Sequence, residues 1–132
     1  MHRKLTLSLL TLTVLAFGKM TSRAQDAEEA ANWHTRYNPA VKEAKETNRK
    51  LLIVFTASTW VDICKVFEKD ILDQVDFHGP VSREYVLLKL EYPRENRMER
   101  QIATEYQLLK DAYRVRGFPT VIVTDTEGRP FG

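Results

Sequence analysis

Residues Leu51–Phe55 read L-L-I-V-F, five apolar residues in succession. A run of that length without a polar interruption is a strand buried on both faces, with helices packed above and below it. This one segment restricts the chain to folds with a covered sheet. Small residues follow from Thr56 to Thr59, and Thr59 with Asp62 has the spacing of a helix N-terminal capping box. The chain is therefore expected to pass from strand directly into helix near Trp60. Cys64, the only cysteine, falls within the first turns of that helix.

With 132 residues, 43% hydrophobic and 29% charged, the composition is that of one globular domain, neither disordered nor collagenous. The N-terminus reads differently. Met1–Lys4 is basic, Leu5–Gly18 is an apolar and hydroxyl-rich run of signal-peptide length, and Ser22-Arg23-Ala24 supplies small residues for cleavage. Residues 1–24 are expected to be a signal peptide removed after Ala24, because a membrane span needs about 20 apolar residues. An uncleaved anchor is the alternative. Residues 25–36 form a polar lead-in, and residues 37–132 the domain.

The leader carries Arg3, Lys4, Lys19 and Arg23 and no acidic residue, so of 20 basic residues 16 remain against 18 acidic, a net charge of −2. The basic excess that drives phosphate binding is then absent, and neither nucleic acid nor a stable membrane anchor is expected. Export to the periplasm or beyond places the domain in an oxidising compartment, where cysteines are usually paired. Cys64 has no partner in the chain, which leaves a free thiol or pairing with another molecule.

Asn38-Pro39 reads as a cap and first helical position, with Ala40, Val41 and Ala44 as an apolar stripe through Thr47. After the central strand, Ile63, Phe67 and Ile71 recur at helical spacing, ending near Gln74. Gly79-Pro80 marks a short helix or turn before a second strand, Val86–Tyr92. Pro93–Arg100 is a charged run without period, read as a solvated loop. Ile102, Tyr106, Leu109 and Tyr113 define an amphipathic helix, followed by Gly117-Phe118-Pro119-Thr120, the strand Val121–Val123 and a hairpin signal at Asp125–Gly128. This alternation is α/β, with the first strands parallel through helical crossovers and the final hairpin an antiparallel edge. His34 and His78 are isolated, so no metal site is expected, and the absence of a glycine-rich phosphate loop removes the usual cofactor signals.

The buried strand, F-T-A-S-T-W at Phe55–Trp60, the cysteine four residues on, K-V-F-E-K at Lys65–Lys69, V-L-L-K-L at Val86–Leu90 and G-F-P-T-V at Gly117–Val121 together resemble the thioredoxin superfamily. The nearest likeness is to exported thioredoxin-like proteins whose active segment reads F-T-G-S-x-W-C-x-x-C-K. It covers Trp33–Gly132 and implies a three-layer sandwich around a mixed central sheet. Such domains normally continue through another strand and a last helix, so the chain is expected to be truncated or completed by a partner.

Residue by residue, the resemblance matches the family's first motif cysteine to Val61 and the second to Cys64, with Asp62 and Ile63 between: W-V-D-I-C stands for W-C-x-x-C. The first cysteine is the attacking thiolate and the second resolves the mixed disulfide, so the attacking thiol is missing. The acidic residue that many thioredoxins carry before the strand phenylalanine is here Val54. Pro119 matches the family's cis-proline, and the backbone of the residue at Phe118 pairs there with an extended substrate by strand addition. The expectation is a domain that lacks dithiol–disulfide exchange and binds extended polypeptide across Trp60, Val61, Asp62, Ile63, Phe118 and Pro119. The alternative is a monothiol protein in which Cys64 forms mixed disulfides with a thiol-bearing protein or small thiol. Cys64 otherwise reads as a small buried apolar residue.

Overall fold

In the computed structural model, which describes residues 32–95 and 97–131, the chain runs α1 (Tyr37–Thr47), β1 (Lys50–Thr56), α2 (Asp62–Phe67) continuing into a π-helical stretch (Glu68–Leu72), α3 (Val75–Glu84), β2 (Tyr85–Glu91), α4 (Arg100–Ala112) and β3 (Thr120–Thr124). The expected signal peptide and the lead-in up to Ala31 lie outside the described residues.

The unbroken apolar run makes β1 the middle strand of a sheet ordered β2-β1-β3. It pairs in parallel with β2, Val54 opposite Lys89, and antiparallel with β3, Phe55 opposite Thr120. The antiparallel strand is thus β3 itself; the hairpin turn after it adds one bridge, Thr124 to Pro130. Alternation along the pleat sorts β1 between two cores. Leu51, Ile53 and Phe55 pack with Val86, Leu88 and Leu90 of β2 against Ala40 and Ala44 of α1 and Tyr106 and Leu109 of α4. Leu52, Val54 and Leu87 face the other way, onto Phe67 of α2, Leu72, and Phe77 and Val81 of α3. The result is a three-layer α/β sandwich around a mixed sheet. Truncating any of the large β1 side chains to alanine should cost about 2–5 kcal/mol.

Helix starts are where sequence and structure part. The N-cap of α1 is Arg36, not Asn38, so Pro39 is the third helical residue; its missing N–H is one of the four that no helix satisfies internally. The vacant cap is filled from a distance, by the Glu105 carboxylate of α4 accepting from the Tyr37 N–H at 3.0 Å. The Thr59–Asp62 capping box does not form either. Helix α2 begins at Asp62 with Val61 as N-cap and no side-chain cap, because residues 57–60 close a turn first: the Ala57 carbonyl accepts from the Trp60 and Val61 N–H groups at 3.1 and 2.9 Å. The short helix or turn expected around Gly79-Pro80 is the helix α3, and Pro80 inside it gives up one intrahelical bond.

The lead-in contributes more than its polarity suggests. The His34 N–H donates to the Leu87 carbonyl at 2.8 Å and its carbonyl accepts from the Lys89 N–H at 2.9 Å, bridging the outer edge of β2. Trp33 beside it packs into the second core.

Candidate functional site

Because β1 pairs with the end of β2 and the start of β3, one end of the sheet gathers three chain segments: residues 57–61, the exit of β2 at Glu91 and Tyr92, and the approach to β3 at Gly117–Pro119. This is the carboxyl end of the parallel pair, where α/β folds place their sites. Glu91 fastens the turn. Its carboxylate accepts from the Ser58 hydroxyl at 2.9 Å and from the Thr59 N–H at 3.1 Å.

The expected site residues then separate by exposure. Trp60 is 42% exposed and Ile63 59% exposed, Val61 is half-buried, and Asp62 is held to Lys65 by an ion pair of 3.2 Å on the solvent side. Cys64, on the inward face of the first turn of α2, is 0% exposed and unpaired. Trp60, Val61, Asp62 and Ile63 thus reach the surface while the thiol that follows them in the chain is buried. None of three clefts of about 710, 620 and 160 Å³ is lined by Cys64.

Tyr92, which sequence reasoning treated only as the last residue of a strand, joins the two halves of the site. Its carbonyl accepts the Trp60 indole N–H at 2.9 Å, and its ring lies 4.9 Å from that of Phe118. The ring also stacks on Phe55 at 6.2 Å, and its hydroxyl donates to the Tyr106 carbonyl at 2.7 Å. Burial, then the nearby Tyr106 and Asp111, push the phenol far above its ordinary value, so it stays a neutral donor. An aromatic residue closing an apolar strand just before a proline is the only signal that could have marked it. The Phe118–Pro119 peptide is cis, and the Thr120 hydroxyl donates to the Gly117 carbonyl at 2.7 Å. Among the described residues, the Phe118 N–H and carbonyl make no hydrogen bond.

Behind the site, the strand position that could hold an acid is closed. Val54 is fully buried in the second core, and Lys89 opposite it pairs with Glu68, at the start of the π-helical stretch. Burial pushes the Glu68 carboxyl up, but the hydrogen bond and charge of Lys89 prevail and hold it below its ordinary value. Among the described residues there is no group of three or more His, Cys, Asp or Glu side chains able to hold a metal ion. No helix among them is long and apolar enough to cross a membrane.

Comparison with known proteins agrees with this geometry. Residues 37–132 match the family model described as a thioredoxin-like domain. The chain is 25% identical over 125 residues to the thioredoxin-related protein DsbJ of Chlamydia pneumoniae, covering 93% of this chain and 36% of that protein. It is 28% identical over 102 residues to the disulfide bond reductase DsbH of the same organism, covering 76% of this chain and 61% of the relative. It therefore spans between about a third and three fifths of these relatives' lengths. A solved DsbH oxidoreductase superposes with a TM-score of 0.70 at 25% identity, over 80% of this chain and 74% of that one. A disulphide isomerase from Xylella fastidiosa Temecula1, at TM-score 0.54 and 21% identity over 72% of this chain and 67% of that one, shares the fold. With its sheet order, its two cores and a family match that takes in all of its described helices and strands, the chain belongs to the thioredoxin-like domain family.

Proposed function

We propose that this is an exported thioredoxin-fold domain that binds extended polypeptide across Trp60–Ile63 and Phe118–Pro119 and performs no dithiol–disulfide exchange. One observation carries the reading: Val61 occupies the N-cap of α2, where the family's attacking thiol would stand, while Cys64 is sealed at 0% exposure. A thiol that solvent cannot touch does not attack a disulfide, and a single cysteine cannot cycle between dithiol and intramolecular disulfide. What remains is a surface of exposed Trp60 and Ile63 beside a Phe118 backbone without a partner among the described residues, and strand addition needs only those. Export rests on the leader at residues 1–24, and the mature protein is expected in the periplasm or secreted, beginning at Gln25 by intact mass.

The test is insulin reduction with dithiothreitol. The wild-type protein should leave the background rate unchanged, and Val61→Cys should raise it. A wild-type rate comparable to that of a dithiol thioredoxin would refute the proposal. A second reading draws support from the similarity to a protein named a disulfide bond reductase: Cys64 forms mixed disulfides with a thiol-bearing partner after local opening. A non-reducing gel of the exported protein separates the two. An adduct present in wild type and absent in Cys64→Ser selects the monothiol reading.

A further inference from the structure

The charged stretch after β2 borders a cleft of about 710 Å³ between that stretch and α4, lined by Tyr92, Pro93, Arg94, Met98, Arg100 and Leu108 among others. Its charged lining residues are Arg94 and Arg100, and no carboxylate lines it. The acids nearby are engaged elsewhere: Glu91 with Ser58 and Thr59, Glu95 with Arg97, Glu105 with Arg36 and the Tyr37 N–H, and Asp111 with the Gln107 amide. Glu99, the N-cap of α4, is exposed and does not line the cleft. Among the described residues Arg94 and Arg100 thus have no carboxylate partner. Lys110 does not line the cleft and lies over the Phe118 ring, 5.7 Å from its centroid, so the cations of the cleft are the two arginines.

Tyr92 is a wall of this cleft and also the residue that holds Trp60 and touches Phe118. We propose that the cleft extends the polypeptide groove and selects segments in which a carboxylate and an apolar side chain stand two residues apart; the proposal rests on the groove reading above. In an extended segment, side chains alternate between faces, so residues two apart point into the same wall. Two guanidiniums without partners suit a carboxylate, which each can grip through paired N–H donors. Tyr92, Leu108 and the adaptable Met98 suit the apolar side chain two residues away. Because the mature chain carries net negative charge, a nucleic-acid strand is the weaker occupant.

The test uses dye-labelled octapeptides repeating Val-Ser-X-Ser, with X glutamate, glutamine or lysine so that valine and X share a face, titrated into the full exported chain by fluorescence anisotropy, with amide shifts mapped by NMR. At low salt the glutamate peptide should bind about three- to tenfold more tightly than the glutamine peptide, the range for one or two exposed ion pairs. That preference should vanish in the double variant Arg94→Gln, Arg100→Gln and in half-molar salt. Shifts are expected both at Phe118 and around Arg94 and Arg100. Equal binding of the glutamate and glutamine peptides with shifts at Phe118 overturns the cleft and leaves the groove. A glutamate preference with shifts confined to the cleft supports the cleft's carboxylate selectivity and overturns the groove. No binding by any peptide overturns both, and tighter binding of an eight-nucleotide oligothymidylate overturns the choice of polypeptide.

Discussion

Val61 stands just outside the first turn of α2, so a cysteine placed there would be partly solvent-facing, whereas Cys64 three residues later points into the core. Alkylation by iodoacetamide should therefore modify Val61→Cys within minutes and spare Cys64 in the native wild type until denaturant is added. Equal rates for native and unfolded wild type would contradict the sealed geometry. Replacing Cys64 by alanine removes a fully buried sulfur and should cost about 1–2 kcal/mol, measured by urea unfolding. The site was legible in part. A strand, W-V-D-I-C and G-F-P-T are local strings, and a resemblance can be carried by strings. The clamps at Glu91 and Tyr92 were not, because they bind the turn from about thirty residues away. Which side chain ends a strand beside which turn depends on ladder register, and register is not written in any one segment.

The same limit explains the helix ends. Asn38 and Thr59 have capping chemistry, yet the caps in use come from elsewhere, since a carboxylate on a neighbouring element satisfies an orphan N–H as well as a local hydroxyl does. Glu105→Gln, which leaves the shape and removes the charge that joins Arg36 and Tyr37 to α4, should destabilise the domain by roughly 1 kcal/mol. The hairpin after β3, by contrast, was readable from Asp125-Thr126-Glu127-Gly128, because turn chemistry is local. Asp125 accepts the Glu127 and Arg129 N–H groups at 2.8 and 2.9 Å. Gly128 has φ 81°, and a Cβ there would meet the Tyr37 hydroxyl at 2.0 Å. Gly128→Ala combines an unfavourable backbone with a displaced tyrosine and should cost about 2 kcal/mol or more, a fall of roughly 10 °C in Tm. A loss of only about 1 kcal/mol, the backbone cost alone, would show that Tyr37 moves freely.

Three carboxylates tie elements of the molecule together: Glu105 joins α4 to the start of α1, Glu68 joins the π-helical stretch to β2 through Lys89, and Glu43 joins α1 to His34 and Arg49. In each, burial pushes the carboxyl up, and the paired hydrogen bonds and charges outweigh it, so the folded value lies below the ordinary one. Groups shifted that way contribute stability above the unfolded value, about 4.3 for Glu, and lose it as pH falls through the folded value. The urea midpoint should hold from neutrality to about pH 5 and then decline, less steeply in Glu105→Gln. Architecture at this scale was the most legible part, since the period of the apolar residues assigns each strand to one or two buried faces. The central place of β1 also has a temporal side. The strand with the longest apolar run is complete at Thr56, but its last neighbour ends only at Thr124. At about 5–20 residues per second the ribosome needs several seconds to supply that neighbour. Until that neighbour is available the most apolar strand has an open edge, so its exposure before folding follows from chain order, which the stability of the finished domain does not report.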